Sequence, residues 1–275
     1  MPILPKRWPL IVLLMLVVTL PLLAGLSWLV MTGFFDRVFG LVPQGSFNPR
    51  NWRFLWEGSF SGRPSIWVAL GNSVLFAVAV ATIEVLVASM AAYAISRMRF
   101  PLRSVYLGFV LILHAFPAIS LIIALFYMLR LLGLFDTLIG VILVKVSLEL
   151  PLGIWLMKGF FDNLSWDMEM AALVDGASRW TVYWKIALPL VRPGLLALGT
   201  FALLSAWGEF ILPFTLIVSG RSWTLALYLQ SFLGESFTEY GLIAGIGFFY
   251  ALPVILLFLL GQRYLLNIYS GGAKG

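Results

Sequence analysis

The chain has 275 residues, of which 61% are hydrophobic and 11% are charged. Since soluble domains have roughly 45–50% apolar and about 25% charged residues, this composition excludes an ordinary soluble protein and predicts a protein of the lipid bilayer. The chain has no cysteine and one histidine, His114, which excludes thiolate sites and argues against any bound metal. Its net charge of +6 is distributed between the apolar runs and not gathered in one patch, so we expect no nucleic-acid partner.

Six apolar runs are long enough to cross a hydrocarbon core, which takes about 20 helical residues. In chain order they lie near residues 9–33, 68–96, 104–132, 137–160, 190–218 and 241–263. The first run is too long for the core of a signal peptide, so we expect it to be retained. The sequence therefore predicts an all-α membrane protein with six transmembrane helices, in a single domain over residues 1–275.

Lysine and arginine residues in the connecting segments predict the orientation, because cytoplasmic loops carry an excess of both. If the N-terminus lies inside, 11 of these residues fall on the inner side and 6 on the outer side, and Lys145 remains inside a span, which accounts for all 18. We therefore expect both termini in the cytoplasm, together with the polar segment 163–193 between the fourth and fifth spans.

The polar segment 163–193 has the residue types that begin and end two short helices. Ser165 can cap the first helix, and Asp167 and Glu169 lie near its positive N-terminal end. Gly176 can end it, since glycine adopts the left-handed backbone conformation of a helix C-cap. A pair of alanines between these ends keeps the helix thin, so that another backbone can approach it closely.

The second helix of this segment has an aromatic face. Ser178 can cap it, and Leu188-Pro189 predicts its end, because the residue before a proline avoids the helical conformation. Positions i, i+3, i+4 and i+7 share one helical face, and here they hold Trp180, Tyr183, Trp184 and Ala187. Such a face fits two roles: a helix that lies on lipid headgroups, or a helix that places its aromatic residues in a groove of another protein.

Two short motifs connect the same segment to a known family. They are Ala171-Ala172-x-x-Asp175-Gly176-Ala177-Ser178 and Ile186-x-Leu188-Pro189-Leu190. Together they resemble the cytoplasmic EAA loop of ABC importer permeases, which in that family forms the coupling helices that dock into the ATPase subunits. Met170 stands where the family has the glutamate of the motif, with Asp167 and Glu169 preceding it.

Further motifs extend the resemblance over most of the chain. They are Asn72-Ser73, Ala92-Tyr93-Ala94-x-x-Arg97, Phe116-Pro117, Gly133-Leu134-x-Asp136-Thr137, Trp207-Gly208-Glu209-Phe210 and Ser270-Gly271-Gly272-Ala273-Lys274-Gly275. These stretches are similar to the carbohydrate branch of the family and in particular to its maltose-type permease subunits. Gly208 is a departure, because the family has an asparagine at that position.

The resemblance implies a type I, MetI-like permease fold and a non-catalytic subunit of an ATP-driven sugar importer, which forms half of the translocation pathway. It implies as partners a second permease subunit in a heterodimer, two ATPase subunits that bind ATP and Mg²⁺, and an extracytoplasmic solute-binding protein, all at the cytoplasmic membrane of a prokaryote. The chain itself has no G-x-x-x-x-G-K-[ST] phosphate loop, and we expect it to bind no cofactor. The implied coupling residues are Asp167, Glu169, Ala171, Ala172, Asp175, Gly176, Ala177, Arg179, Trp180, Tyr183 and Trp184.

The substrate and the source of energy stay open at this point. Trehalose, maltose-type oligosaccharides and glycerol phosphates all fit the carbohydrate branch, and a permease for a non-sugar solute is an alternative. An ion-coupled secondary transporter is an alternative of a different class, and it would use charged residues inside the membrane as its coupling groups.

Glu84, Lys145, Glu149 and Glu209 lie inside the predicted spans and away from their ends. A charge at mid-membrane costs at least about 2.5–3.5 kcal/mol on insertion scales, so each needs a compensating environment. Lys145 and Glu149 are four residues apart on one helix, and Lys145 and Glu209 fall in the same half of the membrane, so either pair fits the spacing. From the second pair we predict that neutralising Glu209 alone harms transport more than neutralising both of its members. The candidates for the translocation pathway are Asn72, Ser73, Lys145, Glu149 and Glu209.

Overall fold

The computed structural model describes residues 8–39, 42–59, 62–233 and 239–271, and most of them are helical. The long helices are α1 (Trp8–Phe34), α2 (Ile66–Arg97), α5 (Leu138–Asp162) and α12 (Tyr240–Gly271). The shorter ones are α3 (Arg103–His114), α4 (Ala118–Leu131), α6 (Trp166–Val174), α7 (Arg179–Val182), α8 (Leu188–Leu190), α9 (Arg192–Trp207), α10 (Ile211–Leu216) and α11 (Leu225–Gln230). Two strands, β1 (Phe35–Phe39) and β2 (Val42–Phe47), follow α1. The last four residues of the matched stretch 270–275 lie outside the described residues.

Four described helices are long and apolar enough to cross a membrane: α1, α2, α5 and the first part of α12, Tyr240–Leu257. They confirm four of the predicted helices, those near 9–33, 68–96, 137–160 and 241–263. A fifth crossing results if the bent pair Arg179–Leu190 and Arg192–Trp207 counts as one span. The prediction of six spans with both termini in the cytoplasm stays a prediction.

The third predicted span, 104–132, is wrong as a single helix. The chain leaves the helical conformation between α3 and α4, and Pro117 occupies the N-cap of α4 with a ψ of 129°. Proline has no backbone N–H with which to continue the helical hydrogen bonds, so a new helix begins after it. That helix, Ala118–Leu131, has 14 residues.

The fifth predicted span, 190–218, is also divided into two helices. α9 ends at Trp207 with Gly208 as its C-cap, and α10 begins three residues later. Glu209 contributes to the break, since its Oε1 accepts a hydrogen bond from the N–H of Leu212 at 3.2 Å and thereby caps the new helix. Glu209, a polar residue within an apolar run, thus stabilises the start of a separate helix, α10.

The chain divides into two compact units, and the first combines the residues up to 66 with residues 228–257. It contains an antiparallel hairpin of β1 and β2, with Phe39 opposite Val42. This hairpin corrects the all-α prediction: the aromatic and β-branched residues that follow α1 favour an extended backbone over a helical one. The single domain predicted over 1–275 stays a prediction.

The second unit comprises residues 67–227 and the chain from 258 onward, and its core lies between α2, α5 and α9. Ala88 and Ala92 are fully buried in it, and small residues of this kind allow helices to pack closely in a membrane. The core residues are Ala88, Ala92, Tyr93, Ile95, Ile154, Met157, Phe161, Tyr183, Ala187, Val191 and Leu198. Because Tyr183 and Ala187 come from the polar segment, this core holds the segment against α2.

Candidate coupling surface and buried charge cluster

The two helices of the polar segment begin and end at the predicted caps. Ser165 Oγ accepts a hydrogen bond from the N–H of Asp167 at 3.3 Å, which caps α6. Gly176 follows α6 with a φ of +87°, a backbone conformation that glycine adopts without a steric penalty. At the start of α7, Ser178 Oγ accepts a hydrogen bond from the N–H of Thr181 at 3.1 Å. The caps and the glycine turn inferred from the sequence are confirmed.

Several large apolar side chains of this segment are exposed, and four of them form two pairs. Met170 and Val174 lie one turn apart on α6 and are 40% and 81% exposed. Trp180 and Trp184 lie one turn apart on the next helix, are 59% and 40% exposed, and contact each other edge to face with ring centres 5.7 Å apart. We call these four residues the coupling surface. Exposed methionine and tryptophan side chains beside charged residues are typical of a protein–protein contact.

The remaining predicted coupling residues surround this surface or lie beneath it. Those that are exposed beside it are Asp167, Ala171, Asp175, Gly176 and Arg179, and those that are half-buried are Ala172 and Ala177. The Tyr183 ring contacts those of Trp180 and Trp184 with ring centres 5.8 and 5.2 Å apart, so these three residues share the predicted face. Tyr183 and Ala187 are themselves buried, and they therefore lie beneath the coupling surface rather than on it.

The second helix also continues past Pro189, where the sequence predicts its end. In the π-helical turn Tyr183–Ala187 the N–H of Leu188 donates to the carbonyl oxygen of Tyr183, five residues earlier, and this wider turn accommodates the proline ring. The chain stays helical to Leu190 and then bends by 77° into α9.

Glu169 points into the protein and not toward the coupling surface. Its side chain is 4% exposed, and its Oε1 lies 2.7 Å from Arg97 Nε in an ion pair. Its Oε2 accepts a hydrogen bond from the hydroxyl of Tyr93 at 3.1 Å. The interpretation of Glu169 as a docking acid is therefore wrong, and Asp167 is the exposed acid of the first turn. Arg97 and Tyr93 belong to a stretch that the sequence matched, but only the folded chain reveals their partner.

A cluster of charged side chains lies between α5 and the end of α9. Lys145 Nζ is 2.9 Å from Glu149 Oε1 and 2.7 Å from Glu209 Oε2, so both of the pairs that the spacing allows are formed. Ser205 Oγ donates a hydrogen bond to Glu149 Oε1. All three charged side chains are largely buried, with exposures of 9%, 10% and 15%. The lysine thus joins α5 to the segment that follows α9.

Glu84 on α2 adds a third carboxylate to this cluster. It is fully buried and lies within electrostatic reach of Glu149 and Lys145. Neither of its carboxylate oxygens has a hydrogen-bond partner among the described residues. Gly153 on α5 makes room for it, since a Cβ at that position would lie 2.8 Å from Glu84 Oε1. The sequence does not indicate that Glu84 lies beside Lys145 and Glu149, because the residues around Glu84 are apolar. This position results from the packing of α2 on α5.

Asn72 and Ser73 hold a neighbouring segment of the chain by hydrogen bonds. Asn72 Nδ2 donates to the carbonyl oxygens of Arg221 and Trp223 at 2.8 and 2.9 Å. Ser73 Oγ accepts a hydrogen bond from the N–H of Leu225 at 2.8 Å. Because these polar groups already have partners in the protein, we revise their assignment as pathway residues and treat both as positioning residues.

Asp136 has a structural role that its sequence motif does not reveal. Its Oδ1 accepts hydrogen bonds from the N–H groups of Val218 and Ser219 at 2.7 and 2.8 Å. The bond from the Ser219 N–H lowers the pKa of the Asp136 carboxyl below its ordinary value, because these donors stabilise the ionised form. The matched stretch at 133–137 is thereby joined to the end of α10.

Three comparisons relate this geometry to known proteins. Residues 84–268 match the family described as binding-protein-dependent transport system inner membrane component. The trehalose transport system permease protein SugB of Mycobacterium tuberculosis is 35% identical over 210 residues, which cover 75% of this chain and 77% of that protein. The diacetylchitobiose uptake system permease protein NgcG of Streptomyces coelicolor is 29% identical over 271 residues, 96% of this chain and 86% of that protein.

A solved structure has the same fold. It belongs to a bacterial ABC transporter involved in the import of the acidic polysaccharide alginate, with a TM-score of 0.79 at 21% identity. The match covers 96% of this chain and 99% of that chain. The resemblance to ABC importer permeases and the expected permease fold are confirmed.

Proposed function

We propose that this chain, which belongs to the family of binding-protein-dependent transport system inner membrane components, is the permease subunit of an ATP-driven sugar importer. The observation that carries this proposal is the coupling surface, an exposed apolar patch held in place by a buried ion pair. The sugar class is supported by relatives whose names specify the transport of trehalose and diacetylchitobiose. The chain supplies no catalytic group in this role, and ATP is hydrolysed by partner subunits.

The proposed assembly places this chain in the cytoplasmic membrane of a prokaryote. A second, similar permease completes the translocation pathway as a heterodimer, two ATPase subunits bind ATP and Mg²⁺, and an extracytoplasmic solute-binding protein delivers the sugar. The chain crosses the membrane six times with both termini in the cytoplasm, if α3–α4 and α9–α10 each count as one interrupted crossing. The excess of basic residues on the side of segment 163–193 supports this orientation.

In the proposed mechanism the coupling surface lies in a groove of one ATPase subunit. Its tryptophans and its exposed apolar α6 residues are the kind of anchors that dominate such contacts. The residues that take part in docking are Asp167, Met170, Ala171, Ala172, Val174, Asp175, Gly176, Ala177, Arg179, Trp180 and Trp184. ATP-driven closure of the ATPase subunits displaces the docked helices, and the spans then alternate between outward and inward access.

The buried charges around Lys145 are the proposed polar element of the pathway. Lys145, Glu149 and Glu209 supply donors and acceptors inside an otherwise apolar unit, and such groups suit the hydroxyls of a sugar. The same cluster favours the second candidate function, an ion-coupled secondary transporter in which these carboxylates bind the coupling ion. A permease for a non-sugar solute would differ from the first proposal only in its substrate.

Reconstitution in proteoliposomes tests these functions. We expect sugar uptake only when this chain, its partner permease, the ATPase subunits, the binding protein and ATP are all present. Uptake by this chain alone under a proton or sodium gradient would establish the secondary transporter instead. A screen of the binding protein against trehalose, maltose-type oligosaccharides and glycerol phosphates then identifies the substrate, and binding of none of them would count against the sugar class.

A further inference from the structure

A polar stripe runs along the last turns of α2. Its members recur at helical spacings of three and four residues and therefore share one face; they are Ser89, Tyr93, Ser96 and Arg97. Together these four side chains bond three parts of the chain near the coupling surface: the π-helical turn through Tyr183, α6 through Glu169, and the end of α5 through Asp162. The distances are 2.9 Å for Ser89, 3.1 Å for Tyr93, 2.6 Å for Ser96 and 2.7 Å for Arg97.

Arg97 is the member of the stripe with the most contacts. Besides its ion pair with Glu169, its Nη2 donates to the carbonyl oxygen of Leu164 at 3.1 Å, just before α6 begins. Its guanidinium also lies 5.2 Å from the ring centre of Trp166 in the first turn of α6. The ion pair is almost completely buried, with side-chain exposures of 6% and 4%. Removal of either partner would leave an uncompensated buried charge, so the pair strongly favours one position of α6.

The opposite end of α2 bonds a different segment. There Asn72 and Ser73 bind the backbone of residues 221–225, the approach to α11. The whole of α2 has 32 residues and no proline, which corresponds to a length of about 48 Å, and both of these bonded sites lie on it. An uninterrupted helix of this kind can transmit a displacement from one end to the other, provided that both ends are held.

We propose that Arg97 and Glu169 are positioning residues that hold the coupling surface on α2, so that α2 transmits the displacement of the docked helices to residues 221–225. This inference rests on the proposed function, in which α6 and α7 dock into an ATPase. Glu169 therefore acts inside the permease, and its carboxylate is not a contact with the ATPase. Without the ion pair, α6 would move on its own and the displacement would be lost before it reached α2.

The first test compares variants of the reconstituted importer. We expect Glu169→Gln and Arg97→Gln each to lower sugar uptake per ATP hydrolysed by about tenfold, since each leaves a buried charge unpaired, while the ATPase subunits still co-purify. The double variant should lose less than either single variant, because it leaves no such charge. The matched control is Arg99→Gln, which removes the same charge from an exposed arginine two residues further on. Uptake per ATP that is unchanged in both single variants would overturn the inference.

The second test measures the position of α6 relative to α2 as a distance. Its result does not depend on the rate of sugar uptake by the variants. The chain has no cysteine, so Met98→Cys and Met168→Cys provide two unique sites for spin labels, at the end of α2 and on α6. We expect the same label-to-label distance with and without ATP when the ion pair is intact, and a distance that changes with ATP in Glu169→Gln. A distance that changes with ATP in the intact pair overturns the inference. Absence of ATP-driven uptake in the unsubstituted complex would instead refute the proposed function.

Discussion

Two buried ionic sites of the second unit differ in how completely their charges are matched. In the Arg97–Glu169 pair one cation meets one anion, and Tyr93 and a backbone carbonyl bond the remaining groups. Around Lys145 the carboxylates of Glu149 and Glu209 share one cation and Glu84 adds a third acidic side chain, and Glu84 and Glu149 retain oxygens without a hydrogen-bond partner among the described residues. A fully matched site is suited to hold one geometry, whereas a site with more acidic side chains than cations retains free acceptors. We infer that the first site is structural and that the second is the one that changes during transport.

The variant Lys145→Met should produce the largest effect on the second site. It leaves the buried carboxylates of Glu149 and Glu209 without their cation, and we expect it to destabilise the permease by about 3–5 kcal/mol in thermal unfolding in detergent. The control Lys158→Met removes a lysine whose partner, Asp162, is 40% exposed, so we expect a change within about 1 kcal/mol. Equal losses in the two variants would show that Lys145 does not hold the cluster together.

The variant Gly176→Pro should separate ATP hydrolysis from transport at the coupling surface. Proline cannot adopt the φ of +87° found here, so the turn between α6 and α7 must rearrange, at a cost of about 1–3 kcal/mol. We expect continued membrane insertion and ATP hydrolysis with little sugar uptake. Asparagine tolerates the left-handed region, and Gly176→Asn is therefore expected to retain coupling. Normal uptake per ATP in the proline variant would contradict the docking role.

Neutralisation of Glu209 tests how Lys145 shares its charge. Since Lys145 also contacts Glu149, Glu209→Gln leaves the lysine paired, whereas Lys145→Gln with Glu209→Gln leaves Glu149 unpaired. We therefore expect the single variant to retain more transport than the double variant, by the equivalent of about 0.5–3 kcal/mol. This reverses the order that the sequence predicts, because the sequence does not show that both pairs exist together. Uptake assays on the two variants decide between these rankings. A greater loss of uptake in Glu209→Gln than in the double variant would support the ranking predicted from the sequence.

The variant Glu84→Gln should have the smallest effect and separates Glu84 from the rest of the cluster. Its carboxylate makes no ion pair with Lys145, the acidic side chain near it is that of Glu149, and the amide has nearly the same size, so we expect a change within about 1 kcal/mol. The matched variant Glu149→Gln should cost more, because Glu149 bonds both Lys145 and Ser205. The unfolding temperatures of the two variants test this expectation. A larger decrease in unfolding temperature for Glu84→Gln than for Glu149→Gln would mean that the charge of Glu84 stabilises the cluster.

Local features of the sequence predicted much of this fold. Hydropathy located the four long helices, and Ser165, Gly176 and Ser178 predicted the caps of the polar segment, because these signals act within a few residues. The interruption near Glu209 was missed, since the apolar run continues through it. Hydropathy measures the transfer of side chains into lipid and does not register the loss of a single helical hydrogen bond.

The candidate site was less predictable, because it depends on contacts between distant parts of the chain. Arg97 and Glu169 are 72 residues apart, and Asn72 and Trp223 are 151 residues apart. The burial of Tyr183 depends on its contacts with Tyr93 and Ser89 of α2, about 90 residues earlier in the chain. Conversely, the Lys145–Glu149 pair lies within one helix, and its spacing predicted it correctly.

The missing side chain of Gly153 has an evolutionary consequence. A Cβ there would lie 2.8 Å from Glu84 Oε1 and 3.2 Å from the Cβ of Ala88, so a methyl group at residue 153 would displace the end of the Glu84 side chain. The two positions therefore influence each other's history, because a shorter residue at 84, for example aspartate, leaves more room for a side chain at 153. Among descendants of this protein, a larger residue at 153 should appear more often in lineages that have lost the glutamate.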